Sequence, residues 1–501
     1  MSAYDSLLQK LPSIAQPKVY LSFKSRLKWT GGILLLYLVL AQITVYGISV
    51  AEKQRFQFLE LILGANIGSL MTLGIGPIVT ASIILQLLVG SKVLPWDLKT
   101  EEGRMRFQGT QKIVTMIFAF IEAYAFVSFG VIAPVDSSVG TMALLILQLA
   151  FGGFIVLLMD EVVSKWGIGS GVSLFIAAGV SRQIFISLFS PIVPAGTSVP
   201  SGVIPAFVTY LQLGEVAPAF LTLLPLLGTV LVFFFVVYIQ AIKVDIPLAF
   251  ASIRGFGRRW PLKFLYTSNM PVILAAALVA NFNLIGSSLA ARGFSFIGEY
   301  DSNGIPISGI MSFISPPRSV ELQLFVIIFI GITFIGSFAA YLTKSPKIMK
   351  ISIASAILGF VIALVVSAMT LGMPLLPDSI RAITYLIFFS AVCTVFSVIW
   401  VSTAGMDSDS VSSQIEDLGL QVPGFRRDPR IIRDILNRYI PMLSVLGGIT
   451  VGALAAVADL TNAIGTGTGL LLTVMIIFNF YEIIAARYME DMHPALRKFF
   501  E

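Results

Sequence analysis

The sequence contains few of the residues that build disulfides, metal centres and catalytic sites. Cys393 is its one cysteine and His493 its one histidine. A lone cysteine excludes a disulfide within the chain and a CxxC site, and a lone histidine disfavours a histidine-based metal centre. The chain also lacks a Walker A sequence, an HExxH motif and a GxSxG elbow. We therefore expect no metal, no cofactor and no enzymatic activity.

Charged residues are equally scarce. They make up 12% of the chain, against about 25% in soluble domains. Hydrophobic residues make up 56%, and the mean hydropathy is +0.91. These values exclude a soluble protein. The net charge of +6 does not indicate DNA binding, because Lys and Arg border the apolar runs, as orientation signals do.

The apolar residues fall into runs of roughly bilayer length. They predict twelve membrane segments: 29–50, 61–91, 113–135, 141–159, 166–181, 216–242, 264–285, 322–342, 351–371, 382–401, 439–457 and 465–481. The first run is too long for the core of a cleavable signal peptide, so we expect it to be retained.

The basic residues predict the orientation of these segments. If the N-terminal segment 1–28 is cytoplasmic, all but six of the 33 Lys and Arg residues lie in cytoplasmic segments. The positive-inside rule then places both termini, including the tail 483–501, in the cytoplasm and requires an even number of spans.

The run 61–91 is too long and too interrupted for one straight helix. Gly74, Gly76 and Pro77 puncture it, and proline cannot donate a helical hydrogen bond. We expect a short half-inserted helix at about 61–73, a break at 74–77 and then a true span. Such a break at membrane depth is solvated either by a water-filled path or by neighbouring helices, and the sequence leaves both open.

Ionisable residues are rare within the predicted spans, and Glu122 is the clearest. It is either a functional carboxylate or a group hydrogen-bonded to a neighbouring helix, with Thr80 and Asn269 as candidate partners. Two glycine-rich stretches, 167–171 and 465–469, resemble phosphate loops. Both open membrane spans, however, where small residues allow close helix packing.

Two predicted cytoplasmic loops, 243–263 and 405–438, are long and rich in arginine. They either bind an anionic partner such as ribosomal RNA through its phosphates or only fix the topology.

Several motifs resemble those of SecY and the eukaryotic Sec translocon α-subunit. The longest is LGIGPIVTASIILQLL, residues 73–88, which is similar to the second span of that family. Further matches follow in family order: FQG at 107–109, KWGIGSG at 165–171, SNMPVILA at 268–275, GFRR at 424–427 and GTGLLLT at 467–473. They resemble the archaeal and eukaryotic branch more than the bacterial one.

The resemblance implies an all-α polytopic channel of two pseudo-symmetric five-helix halves, 29–215 and 216–482. The inverted repeat itself is not visible in the sequence. Family members usually have ten spans, so the hairpin 322–371 is an addition, which either packs beside the lateral gate or is peripheral.

The resemblance also implies functional residues. An apolar pore ring would comprise Ile75, Val79, Val172, Ile176, Ile273 and Leu472. A plug would include Leu61, Gly64, Ala65, Asn66, Ile67, Gly68, Ser69 and Leu70. The polar cluster of the gate would be Thr80, Glu122 and Asn269, and the docking residues Arg254, Lys263, Arg426 and Arg427. Taken singly, each ring residue could equally be core or lipid-facing filler.

We therefore expect the pore-forming subunit of a protein translocation channel in an archaeal cell membrane. The resemblance implies as partners a SecE-type γ-subunit, a β-subunit, the ribosome, signal sequences, nascent chains, lipid and, indirectly, the receptor of the signal recognition particle. The alternative is a secondary transporter of small solutes. A transporter would need ionisable or substrate-binding groups near the midplane.

Overall fold

The computed structural model describes most of the chain. The described residues are 12–19, 21–48, 68–90, 93–96, 98, 100–128, 132, 134–136, 138–193, 198–250, 257–267, 269–291, 293–294, 296–300, 306–343, 348–370, 376–417, 420–421 and 429–492.

Helices dominate the described residues. Those of the first half are α1 (Phe23–Leu40), α2 (Gly76–Gly90), α3 (Glu101–Ser128), α4 (Val139–Trp166), α5 (Gly171–Phe189), α6 (Val203–Gln212), α7 (Val216–Thr222) and α8 (Leu224–Gln240). Those of the second half are α9 (Met270–Ala291), α10 (Gly309–Ile314), α11 (Val320–Leu342), α12 (Ile348–Thr370), α13 (Leu376–Thr403), α14 (Ser408–Asp417), α15 (Pro429–Leu460) and α16 (Gly467–Met492).

The predicted membrane segments are confirmed as helices. Ten candidate spans in the described residues are long and apolar enough to cross a membrane, with α7 and α8 forming one of them. The other two predicted segments correspond to α1 and to the shorter apolar helix α2. The short apolar helix α6 was not among the predicted segments.

The predicted break before α2 is present. Gly74 has a φ of +52°, and α2 begins at Gly76, so that Pro77 occupies its first turn. Proline is tolerated there because the amides of the first turn have no partner within the helix. Residues 68–75 form turns, however, so the expected short helix does not continue to Leu73.

One large apolar core joins the two halves. It includes Tyr37 of α1, Phe175 of α5, Phe389 of α13 and Leu471 of α16. The ring of Tyr37 stacks on that of Phe175, with centroids 4.5 Å apart. Helix α5 packs against α16, and α2 packs against both α9 and α13. The helices that carry the predicted pore ring therefore lie at the centre of the bundle.

The loop 243–263 contains strands that the all-α expectation omitted. Strands β1 (Lys243–Phe250) and β2 (Gly257–Lys263) pair antiparallel, and β3 (Leu420–Gln421) extends the sheet in the order β2-β1-β3. Ile246 of β1 and Leu262 of β2 belong to a small second core with residues of α13, α14 and α15. The alternation of apolar residues with Asp245 in β1 is the period of two that favours a strand.

The additional hairpin is formed by α11 and α12. A Cβ at Gly336 would stand 2.3 Å from the Cβ of Ser355, so these small residues allow the two helices to pack closely. Helix α11 also packs against α8 and α15. A cavity of about 550 Å³, lined almost entirely by apolar side chains of α8, α11 and α15, lies between them. Leu322 of α11 also packs with Ala382 of α13 and Leu460 of α15. The hairpin therefore contacts α8, α13 and α15.

Candidate functional site

A cavity of about 910 Å³ opens into the bundle at the end where α14 lies. Helices from both halves form its wall. Its polar lining residues include Ser82, Gln86, Arg104, Gln108, Gln111, Asp160, Ser173, Thr403 and Asp409. We call this cavity the vestibule. Its size and polarity suit a water-filled space rather than a packed core.

The vestibule ends at a much smaller cavity of about 30 Å³, which has room for one or two water molecules. This second cavity, the constriction, is lined by Ile75, Gly76, Val79, Ile176, Ile273, Ala276, Ala277, Thr468, Gly469 and Leu472. Val79 and Ile273 line both cavities and so stand between them.

Five of the six predicted ring residues therefore line one constriction. Ile75, Val79, Ile176, Ile273 and Leu472 come from four helices or their preceding turns, and each is at most 5% exposed. The sixth, Val172, lines the vestibule instead. Among the described residues that line the constriction, none carries a charge. A space of about 30 Å³ has no room for a polypeptide.

The turn that precedes α2 is anchored to the chain that follows α1. The Leu70 amide donates to the Ile43 carbonyl at 2.8 Å, and the Val45 amide donates to the Gly68 carbonyl at 3.0 Å. The Leu70 carbonyl oxygen would lie 1.8 Å from a Cβ at Gly152 of α4, a distance that only glycine allows. The predicted plug residues Gly68, Ser69 and Leu70 are therefore held in place at this end.

The other predicted plug residues, and three of the docking residues, lie outside the described residues. They are Leu61, Gly64, Ala65, Asn66, Ile67, Arg254, Arg426 and Arg427.

A polar cluster crosses the seam where α2 meets its neighbours. The Thr80 hydroxyl of α2 donates to Glu122 Oε1 of α3 at 2.9 Å. Asn281 Nδ2 of α9 donates to the Thr80 hydroxyl at 3.3 Å. The cluster thus joins α2 to one helix on each side, as a gate between the halves requires.

Asn269 is not where the sequence analysis placed it. It is buried in the turn before α9, and twelve residues, or about 18 Å of helix rise, separate it from Asn281. The signal for Asn281 is its spacing, because Ile273, Ala277 and Asn281 recur every four residues and share one face of α9. The first two of these residues line the constriction.

Lys263, the remaining docking candidate, already has a partner. Its ammonium group forms an ion pair with the Glu482 carboxylate of α16. Both side chains are about two-fifths exposed, Lys263 at 44% and Glu482 at 40%. This pair attaches the end of β2 to α16, so a charge on an outside partner would have to compete with Glu482.

The chain matches a protein family model described as SecY over residues 69–481, and one described as the plug domain of Sec61p over residues 35–68. It is 39% identical to the protein translocase subunit SecY of Methanothermobacter thermautotrophicus, across 99% of this chain and 98% of that one. Identity to the Pyrococcus furiosus protein of the same name is 38%, across 98% and 97%.

Solved structures give the same result. One described as "The structure of a protein conducting channel" superposes with a TM-score of 0.77 and 37% identity, and 98% of each chain is covered. Another, described as "Sec61 in the Canine ribosome-channel complex from the endoplasmic reticulum", gives a TM-score of 0.74, also with 37% identity and 98% of each chain covered.

Proposed function

This chain belongs to the SecY family, and on that premise we propose that it is the pore-forming subunit of a protein translocation channel. It passes unfolded secretory polypeptides across the membrane and releases transmembrane segments sideways into lipid. The observation that carries this proposal is the aliphatic constriction of about 30 Å³ at the inner end of a vestibule of about 910 Å³.

The chemistry of the constriction suits a polypeptide of any sequence. Flexible aliphatic side chains can close around different side chains, and they offer an ion no replacement for its hydration shell. An idle ring of this kind seals by excluding water, and a passing chain fills it. We propose Ile75, Val79, Ile176, Ile273 and Leu472 as the ring, with Val172 at its vestibule edge.

The seam around α2 is the proposed lateral gate. Opening it separates α2 and α3 from α9 and α13 and breaks the hydrogen bonds of Thr80 to Glu122 and Asn281. Transfer of roughly 20 apolar residues from water to lipid drives a signal sequence or nascent span through the opening. The plug segment 61–73 would move away from the pore at the same time.

Small-solute transport is less well supported. A transporter would place ionisable or substrate-binding groups around its central site. The described residues around the constriction are aliphatic apart from Thr468 and the glycines. The described residues also contain no group of three His, Cys, Asp or Glu that could hold a metal ion, and we propose a channel without catalytic activity.

We propose the partners and location from the family. The halves 29–215 and 216–482 would be clamped by a SecE-type γ-subunit and joined by a β-subunit, with the ribosome bound at the loops 243–263 and 405–438. The signal recognition particle receptor would act indirectly. Both termini would be cytoplasmic, in the cell membrane of an archaeon.

Photocrosslinking tests this function. A ribosome-bound nascent chain with a signal sequence is stalled in membranes, with a photoreactive residue at position 75, 79, 176 or 472 of the channel. We expect adducts from each, and none from position 357, where Ile357 on α12 is 63% exposed on the bundle surface. Docked ribosomes without ring adducts would contradict the proposal and favour the transporter.

A further inference from the structure

Two aspartates hold the start of the helix that follows their own. Asp160 of α4 accepts a hydrogen bond from the Val172 amide of α5 through Oδ1, at 2.9 Å. Asp459 of α15 accepts one from the Thr468 amide of α16 through Oδ1, at 2.8 Å. Each amide belongs to a first helical turn, whose amides have no partner within the helix. The positive end of the helix dipole also stabilises a negative charge at each carboxylate.

These contacts differ from ordinary helix capping. An N-cap side chain normally belongs to the residue directly before the helix. At α5 that residue is Ser170, whose side chain makes no cap hydrogen bond. The carboxylate that serves instead comes from the preceding membrane helix. It therefore fixes one helix relative to another, which a local cap cannot do.

The glycine turns that precede α5 and α16 pack reciprocally. Gly169 has a φ of +73°, and a Cβ there would stand 2.8 Å from the ring of Phe480 on α16. Gly465 has a φ of +82°, and a Cβ there would stand 3.1 Å from Ile184 Cγ1 on α5. The start of each helix thus contacts the far part of the other, so α5 and α16 run antiparallel.

These positions in α5, in α16 and in the turns before them correspond in pairs, and the two members of every pair are separated by the same number of residues. The pairs are Gly169 and Gly465, Val172 and Thr468, Ile176 and Leu472, and Ile184 and Phe480. Ile176 and Leu472 both line the constriction. Each lies four residues after the backbone amide that an aspartate holds. One helical turn separates each held amide from its ring residue, so a shift of the helix start reaches the ring directly.

The second aspartate has a further partner on α13, a helix of the proposed gate. The Tyr385 hydroxyl of α13 donates to Asp459 Oδ2 at 2.7 Å, and Tyr385 is 2% exposed. The Thr468 hydroxyl donates to the same oxygen. Since α13 packs against α2, this carboxylate connects a helix of the proposed gate to a helix of the ring.

We propose that Asp160 and Asp459 are positioning residues that hold Ile176 and Leu472 in the closed constriction, and that Asp459 links this ring position to α13. The inference rests on the proposed channel function. It predicts that the seal of the idle channel depends on the two carboxylate contacts as well as on the ring side chains.

The test is the ion conductance of idle channels, measured with the assembled complex in planar bilayers. We expect Asp160→Ala and Asp459→Ala to raise idle conductance about tenfold, which corresponds to about 1.4 kcal/mol in the closed state. Asp160→Asn should retain most of the seal, because its amide oxygen can still accept from the Val172 amide. Asp459→Asn should retain part of the seal, because its amide oxygen can replace Oδ1 but its NH2 group cannot accept from the Tyr385 and Thr468 hydroxyls as Oδ2 does. Tyr385→Phe should raise conductance while leaving the ring and the aromatic packing intact.

Glu161→Ala is the matched control. It removes the neighbouring carboxylate of α4, whose partners are Lys112 and Lys165, and should leave idle conductance unchanged.

The inference would be overturned if the alanine variants kept the idle conductance of the wild type. It would also be overturned if the asparagine variants conducted as many ions as the alanine variants. If the alanine variants fail to assemble, an unchanged Tyr385→Phe channel still overturns the link to α13. A wild-type complex that translocates polypeptide while the variants stay sealed refutes only this inference. A wild-type complex that translocates none refutes the channel function.

Discussion

At the residue scale, we propose that single hydrogen bonds set how easily the seam opens. Thr80 is the shared member, because it contacts Glu122 on one side and Asn281 on the other. Each such bond contributes about 1 kcal/mol. Differences of this size change an equilibrium about fivefold, so the cluster can tune how hydrophobic a signal sequence must be.

We predict that Asn281→Ala and Thr80→Val relax this requirement. Export of a reporter with a shortened apolar signal segment should rise by about fivefold, the factor that about 1 kcal/mol represents. Asn269→Ala is the control, since this residue lies in the turn before α9, twelve residues from Asn281. Relaxation by Asn269→Ala and not by Asn281→Ala would restore the assignment made from sequence.

A second residue-scale prediction separates two predicted ring members. Ile176 lines the constriction and Val172 lines the vestibule. We expect Ile176→Asn to raise the idle ion conductance several-fold, because a polar side chain lets water wet the constriction. Val172→Asn should leave the seal intact. Equal leaks from both variants would place Val172 in the ring after all.

Five of the six ring positions implied by the family resemblance line one constriction, and their role as a ring stays a prediction. Asn281 was missed because no motif marks it. Its spacing with Ile273 and Ala277 places it on the same face of α9, but its bond to Thr80 depends on α9 lying beside α2, a contact between distant parts of the chain. The pairing of Asp160 with Val172, twelve residues apart, depends instead on the turn that joins α4 to α5.

At the scale of elements, glycines decide how closely segments approach. The break at 74–77 was predicted from Gly74 and Pro77, whose backbone restrictions are local. The course of residues 68–73 was not, because their turns are stabilised by the chain after α1 and by Gly152. The β1–β2 hairpin was likewise not predicted, although Val244 and Ile246 alternate with Asp245, because this alternation is short and the sheet is completed by β3, far along the chain.

Gly152 offers an element-scale prediction. A Cβ there would stand 1.8 Å from the Leu70 carbonyl oxygen, so Gly152→Ala should displace the turn that anchors the plug segment. We expect higher idle conductance and faster proteolysis of the segment that precedes Gly68. The control is Gly140→Ala on the same helix, where no described atom lies within 4 Å of the added Cβ. Matching behaviour of the two variants would argue against this anchor.

At the scale of the whole molecule, the hydrophobic and the basic residues have separate roles. We propose that the apolar spans fix the fold in lipid and that the basic residues fix its orientation. Twelve segments were predicted from composition and order, and ten of them are helices long and apolar enough to cross a membrane in the described residues. An additional hairpin of two spans would preserve the predicted orientation.

Ribosome docking is the prediction at this scale. We expect Arg254→Ala and Arg426→Ala each to weaken binding of the purified channel to ribosomes and to lower the salt dependence by about one released counterion. Lys263→Ala should have a smaller effect, because Glu482 already neutralises that charge. Binding isotherms at several salt concentrations measure both quantities. Unchanged affinity and slope in the arginine variants would contradict docking at these loops.

We propose that the polypeptide passes through the ring that α2, α5, α9 and α16 form at the constriction, and a reversible lock between two ring positions tests this most directly. Cysteines replace Ile176 and Leu472, which line the same cavity, in a chain whose Cys393 is changed to serine. We expect oxidation to bridge the two positions and stop translocation of a signal-bearing chain, and reduction to restore it, while ribosome binding stays unchanged. Undiminished translocation through the bridged channel would contradict the account.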